Sequence, residues 1–211
     1  MHICAINEIM LKDRKRNAIM QSKEMLIYPE KYKGDCMMKK YEIGLYEKAI
    51  RNTLSWSEKL KCAKECGYDY LEISIDATDE KIKRIFMNAD EKKKIMEAVF
   101  ETGLPIGSMS VSALTKYALG DPKKETRDKA MQIAEKAIEL AVDLGVRTVM
   151  IPGYDIYFGE STIETKKYFL ENVKKIAEIA EREGILVGFE TMENNFMNTT
   201  GKAVQLSLIH I

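Results

Sequence analysis

Residues 123–151, KKETRDKAMQIAEKAIELAVDLGVRTVMI, run from an amphipathic helix through a glycine into an apolar strand. Ala130, Ile133, Ala134, Ala137, Ile138 and Ala141 recur at the three- and four-residue spacing of one helix face, and Gly145 stops the helix after Leu144. Arg147 to Ile151 then read as a strand, and its Thr148-Val149-Met150-Ile151 run is apolar on both faces. That is the pattern of a parallel strand with helices on its outside, not of an antiparallel strand with one wet face.

The same unit repeats on both sides. Tyr41 to Tyr46 reads as a first short strand, and Ser55 with Glu58 has capping-box spacing ahead of a helix that stops at Gly67. Tyr70 to Asp76 is the second strand, followed by a charged helix from Asp90 to Thr102 that ends at Gly103. Ile106 to Ala113 is the third strand and Arg147 to Ile151 the fourth. A helix from Thr162 to Arg182 ends at Gly184, Ile185 to Glu190 is the fifth strand, and Gly201 to Gln205 opens a further helix. Alternating strands and helices predict an α/β fold with a parallel sheet. No strand is followed by Gly-x-Gly-x-x-Gly or by a P-loop, which counts against a nucleotide-binding doubly wound sheet. A (β/α)₈ TIM barrel takes about 250 residues, so five units in this chain predict a barrel truncated after about five strand–helix units.

Lys+Arg and Asp+Glu both number 33, a formal net charge of zero that gives no electrostatic pull toward nucleic acid or an anionic membrane. No stretch reaches the ~20 apolar residues of a membrane helix, and no signal-peptide pattern opens the sequence. A cytoplasmic protein is expected. Cys4, Cys36, Cys62 and Cys66 lack a second Cys or His pair that would complete a zinc site and read as reduced thiols.

Both ends differ from the middle. Residues 1–36 mix charges and methionines without a sustained period, and Lys33-Gly34-Asp35 can be encoded by a bacterial ribosome-binding sequence just before Met37-Met38. We expect residues 1–36 to be a non-native or untranslated leader, with translation starting at Met37 or Met38. Leu206 to Ile211 match the translation of a transposon-end sequencing adaptor, so residues 206–211 are expected to be an adaptor-derived tail and residues 37–205 the natural domain. The two histidines, His2 and His210, fall in these doubtful ends and are not offered as ligands.

Ile43-Gly44-Leu45-Tyr46-Glu47-Lys48-Ala49, Leu71-Glu72-Ile73-Ser74-Ile75-Asp76 and Gly153-Tyr154-Asp155-Ile156-Tyr157 carry a resemblance that Thr102-Gly103, Ser108-Met109 and Phe189-Glu190 through Met197-Asn198 extend. In order and spacing they resemble the L-ribulose-5-phosphate 3-epimerases, also described as L-xylulose-5-phosphate 3-epimerases or hexulose-6-phosphate isomerase-like, within the xylose-isomerase-like TIM barrels. The likeness covers residues 41–205. It implies one divalent metal ion at the C-terminal mouth of the barrel, held by two glutamates, an aspartate and a histidine, with Mn, Mg, Co and Zn not distinguishable. Glu190 matches the first glutamate, as metal ligand and catalytic residue. The other ligands belong to strands that this sequence does not contain.

The remaining candidates are substrate contacts. Glu72 lies within an apolar strand, a costly place for an unpaired carboxylate. It reads equally as a functional group, either a sugar-hydroxyl contact or an acceptor supporting the site from behind, or as part of an interior ion pair that only sets packing. Ser112 and Lys116 follow the third strand, and Lys116 is offered as a point charge for the phosphate; an exposed loop lysine is the plainer account. Leu114 stands where relatives carry a histidine. Tyr154 is offered as a pocket wall or a packing residue, Asn194 and Asn195 as turn formers, and Glu91-Lys92-Lys93-Lys94 as a solvated helix face.

The resemblance implies an epimerase that inverts C3 of a ketopentose 5-phosphate (L-ribulose 5-phosphate or L-xylulose 5-phosphate) through an enediolate, an isomerase by class. The expected partner is a small-molecule sugar phosphate, with no nucleic acid or membrane. The sequence leaves the oligomeric state open; a full-length homo-oligomer is allowed. The chain as written is expected to be inactive. The alternatives are an aldose–ketose isomerase of the same fold and a non-catalytic sugar-binding half barrel. A nuclease of the same superfamily would want a histidine-rich zinc site that residues 37–205 lack.

Overall fold

A computed structural model describes residues 41–208 of the chain. The chain falls into two units, Met1–Glu42 and Ile43–Ile211. The strands described all lie in the second. The expected leader and its start at Met37 or Met38 lie outside the described residues, as do the last three residues of the expected tail.

Five parallel strands form one sheet: β1 (Gly44–Tyr46), β2 (Tyr70–Ser74), β3 (Ile106–Ser110), β4 (Thr148–Pro152) and β5 (Leu186–Glu190). Their spatial order is β1-β2-β3-β4-β5. Each strand therefore lies beside its sequence neighbour, as in a (β/α)₈ barrel; a doubly wound sheet reverses its order partway. Among the described residues the α-helices are α1 (Trp56–Glu65), α2 (Asp79–Lys83), α3 (Ala89–Thr102), α4 (Lys124–Asp143), α5 (Ile163–Glu183) and α6 (Thr200–Leu208). None of them is long and apolar enough to cross a membrane.

Local chemistry sets the helix ends. The Ser55–Glu58 capping box is present, and Asn88–Glu91 and Thr162–Thr165 form two more. Gly67, Gly103, Gly145 and Gly184, read as helix stops, are the four glycines with positive φ among the described residues. Only glycine takes that conformation without a Cβ clash.

Four strands are shorter than expected: the second ends at Ser74 instead of Asp76, the fifth begins at Leu186 instead of Ile185, and the first and third are cut back further. The first begins at Gly44; before it, the Ile43 N–H donates to the Asp69 carboxylate at 2.8 Å. The third ends at Ser110; Val111 leaves the extended region and Ser112–Thr115 form a 3₁₀ turn. The helix expected to open at Gly201 starts at Thr200 and continues past Gln205 to Leu208, with Leu206 buried.

The register sorts the strand side chains into two faces. Ile73, Met109 and Val149 align in one buried row. Phe189 belongs to the same face and meets Phe169 of α5 at 6.3 Å between ring centroids, so this face packs on the helices. The opposite face carries Tyr46, Glu72, Ser108 and Thr148 in one row and Ser74, Ser110, Met150 and Gly188 in the next. Branched aliphatic layers usually fill a barrel interior. Here the interior face carries hydroxyls and a carboxylate.

Candidate active site

Glu190 is the last residue of β5, at the end of the sheet where barrel enzymes place their chemistry. It pairs in register with Pro152, and its carbonyl accepts the Gly153 N–H at 3.0 Å. The approach requires glycine: a Cβ on Gly153 would stand 2.6 Å from the Glu190 carbonyl oxygen and 2.5 Å from Met197 Cγ. Asn194 Oδ1 accepts the Met197 N–H at 3.0 Å, the turn-forming role expected of it.

Glu72 occupies the interior row of β2, where Ser108 Oγ donates to its Oε2 at 2.6 Å. Its partner is thus a hydroxyl rather than the cation of an ion pair. Burial pushes the Glu72 carboxyl up, the Ser108 hydrogen bond pulls it partway back, and the charge of Glu190 pushes it up again. Two of the sequence candidates therefore act on one interior. One row nearer the mouth, the Tyr46 hydroxyl lies 3.4 Å from both Ser74 Oγ and Ser110 Oγ.

Tyr154 and Asp155 follow β4. The buried Tyr154 hydroxyl donates to Glu193 Oε2 at 2.6 Å, tying the loops after β4 and β5 together. Burial and then the Glu193 carboxylate raise its phenol above the usual tyrosine range. Asp155 is fully buried; its Oδ2 accepts Ser161 Oγ and Thr165 Oγ1, both at 2.7 Å, and its backbone carbonyl accepts the Gly120 N–H at 3.0 Å. It joins the loop after β3 to the start of α5.

Ser112 accepts a hydrogen bond from Lys48 Nζ at 3.1 Å, and Lys48 also pairs with Asp76. Burial disfavours the Lys48 ammonium, but Asp76 and Tyr46 together more than offset it and raise its pKa. Lys48, Asp76 and Ser112 follow β1, β2 and β3 respectively, so three adjacent strand ends meet at one ammonium. Beneath them, Glu47 is fully buried. Its Oε1 accepts Lys59 at 2.7 Å, Lys81 at 2.9 Å and Arg84 Nη2 at 2.9 Å; its Oε2 accepts Arg84 Nη1 at 2.6 Å and the Ser74 N–H at 3.0 Å. Burial alone would raise the Glu47 carboxyl; Arg84 and Lys59 drive it far below the carboxylate range.

The sequence reading missed both clusters, because the groups that bond to one another in them are between 10 and 64 residues apart. Glu47-Lys48 was visible only as part of a motif. Lys116 is exposed, with its ammonium 5.3 Å from the Tyr117 ring centroid, in a groove shared with Asp121, Lys123, Glu160 and Glu164. Leu114 is buried in the core. Glu91, Lys93 and Lys94 are exposed on α3, as expected of a solvated face, and Cys62 and Cys66 are free thiols.

Among the described residues, no group of three or more His, Cys, Asp or Glu is placed to share one metal ion. The donors that do face the interior, Glu190 and Glu72, are hard carboxylate oxygens whose mutual repulsion a nearby divalent cation would relieve. They fit part of such a site.

Residues 60–207 match the family described as xylose isomerase-like TIM barrel. The chain is 38% identical over 165 residues to the SgbU protein of Escherichia coli (strain K12), an alignment covering 78% of this chain and 58% of that one. It is 34% identical over 168 residues to the L-ribulose-5-phosphate 3-epimerase UlaE of Shigella boydii serotype 18 (strain CDC 3083-94 / BS512), covering 80% and 59%. The chain thus spans less than two thirds of the length of these relatives. The crystal structure of a D-psicose 3-epimerase in the presence of D-fructose superposes with a TM-score of 0.67 at 14% identity, over 80% of this chain and 59% of that one.

Proposed function

Because the chain belongs to the xylose isomerase-like TIM barrel family, we propose that it is the five-strand portion of an epimerase that inverts C3 of a ketopentose 5-phosphate, L-ribulose 5-phosphate or L-xylulose 5-phosphate. The observation that carries this reading is Glu190, a carboxylate at the end of β5 acting on the same interior as Glu72. The relatives named above support the substrate class.

The hydrogen on C3, beside the C2 ketone, is too weakly acidic to leave unaided. Glu190 removes it as general base and also serves as a metal ligand. A divalent cation, when bound, supplies positive charge against the developing enediolate. Glu72 accepts a sugar hydroxyl beside Ser108, and Ser112 and Tyr154 contact the substrate at the mouth. The second base, the Asp, the His and the second Glu come from the part of the relatives' length that this chain does not span.

The test is C3 hydrogen exchange in D₂O, followed by proton NMR on L-ribulose 5-phosphate with the full-length parent and added Mn²⁺. Exchange at C3 that is lost in Glu190→Gln is expected. Exchange at C1 instead would favour an aldose–ketose isomerase, and no exchange at either carbon would remove the enzymatic reading.

A further inference from the structure

Cys62 and Cys66 are chemically active groups that the interior carboxylates do not use. Cys62 lies on α1, Cys66 caps that helix, and the Cys66 N–H donates to the Cys62 carbonyl at 3.0 Å. Residues four apart share one helix face, so the two thiols are neighbours on the last turn. Both are free; Cys62 is half-buried and Cys66 is exposed. Burial raises the Cys62 thiol, and then the charge of Cys66, a hydrogen bond with Cys66 and the charge of Glu65 raise it further. The two sulfurs are therefore within reach of one partner.

Their place in the fold is the far end from Glu190. Gly67 turns the chain after Cys66 at φ 82°, and β2 begins at Tyr70. The pair thus lies where β2 starts, whereas Glu190 ends β5 at the mouth. A Cβ on Gly67 would meet nothing within 4 Å, so the turn beside Cys66 is open.

Geometry selects the chemistry. A disulfide needs Cβ atoms about 3.5–4.5 Å apart, but on a helix residues four apart hold theirs about 5–6 Å apart. Closing that gap would disrupt the last turn and its Cys66–Cys62 backbone bond. Two thiolates that each lie about 2.3 Å from a shared metal ion span the wider gap. Among the described residues no third His, Cys, Asp or Glu joins them. A structural zinc ion wants four ligands and would be left half coordinated. Cu(I) is selected by soft sulfur and is satisfied by two such donors. The negative end of the helix also favours a cation there, and the nearby Lys64 ammonium is engaged by the Thr102 carbonyl at 2.5 Å.

We propose that Cys62 and Cys66 bind one soft monovalent metal ion, Cu(I), as a two-coordinate dithiolate on the last turn of α1. Two S–H bonds break, two Cu–S bonds form and two protons leave to water; no electron is transferred. The site is independent of the sugar chemistry and is tested without it.

The test is an anaerobic titration with Cu(I) in competition with the chromophoric chelator bicinchoninate. It uses the 211-residue chain carrying Cys4→Ser and Cys36→Ser, which leaves Cys62 and Cys66 as its thiols. One ion per chain is expected to leave the chelator. Adding Cys62→Ser or Cys66→Ser removes a ligand, and each is expected to weaken binding beyond the about 10–100-fold that loss of a group behind a ligand costs. Lys64→Cys added to the Cys66→Ser chain restores two thiols, but two residues apart and off the shared face; binding is expected to stay weak.

Undiminished affinity in either serine variant, one ion per two chains, or full affinity in the relocated pair would each overturn the site. Where a serine variant fails to fold by circular dichroism, the folded chain is alkylated with N-ethylmaleimide instead. Loss of Cu(I) binding is then expected, and binding that survives alkylation overturns the proposal.

Discussion

Glu72 on β2 and Glu190 at the end of β5 are coupled across the interior, the charge of one adding to burial in raising the carboxyl of the other. Like charges sharing a poorly solvated space are costly to the folded state unless a proton or a cation intervenes. At the same time, this arrangement keeps two oxygen donors facing a common interior.

The coupling has a sign in stability. A carboxyl raised above its ordinary 4.5 binds its proton more tightly in the folded protein. The folded state is therefore favoured below that pH and loses this contribution as pH rises through the folded value. Glu72→Gln keeps an acceptor for Ser108 without the charge. It is expected to raise Tm by about 2–4 °C at pH 8, with the gain fading near pH 4. Thermal unfolding followed by circular dichroism at the two pH values checks it; an equal or lower Tm at pH 8 contradicts the assignment.

Glu47 acts in the opposite sense. Its carboxyl is depressed well below 4.5, so its contribution is present above that pH and is lost as pH falls through the folded value. Glu47→Gln leaves Lys59, Lys81 and Arg84 buried around a neutral group. Breaking such a cluster from one side costs about 3–5 kcal/mol, to be read from urea unfolding at pH 7. A loss under 1 kcal/mol would mean that the three cations reach water or another anion.

Gly153→Ala places a Cβ against the backbone carbonyl of Glu190 as well as against the Met197 side chain, and the backbone cannot swing away as a side chain can. The strand ends must move apart, at a cost of about 1–3 kcal/mol. Lower Tm in this chain and lower kcat in the full-length parent are expected, because the displaced residue is Glu190. Unchanged kcat would show that the position of Glu190 is not critical.

Tyr154→Phe removes the donor to Glu193. A hydrogen bond to a charged group contributes about 1.5–3 kcal/mol, so the variant is expected to be less stable at pH 7. The phenol is held protonated in the fold, so the wild type loses stability as pH rises through the ordinary tyrosine value of 10.0. The variant lacks that alkaline component, and the gap between the two narrows above pH 10. Guanidinium titrations at pH 7 and pH 11 measure both effects.

Some of this was legible without a structure, for a physical reason. The helix starts at Ser55 and the stops at Gly67, Gly103, Gly145 and Gly184 depend on residues three or four apart, or on the φ of a single residue. Hydrophobic period separated strand from helix, and the strand–helix alternation implied a parallel sheet with helices outside. Glu190 stood out because a carboxylate closes an apolar strand.

The tertiary structure decided what those strands bring together. Register put Tyr46, Glu72 and Ser108 in one row, and no local pattern encodes register between strands separated by a helix. Glu47 meets Arg84 across 37 residues and Lys48 meets Ser112 across 64, contacts that exist only once β1, β2 and β3 lie side by side. Sequence alone determined the repeating unit because its signals are local. The charge cluster at the mouth was set by chain crossovers, since only they bring distant cations close enough to share one carboxylate.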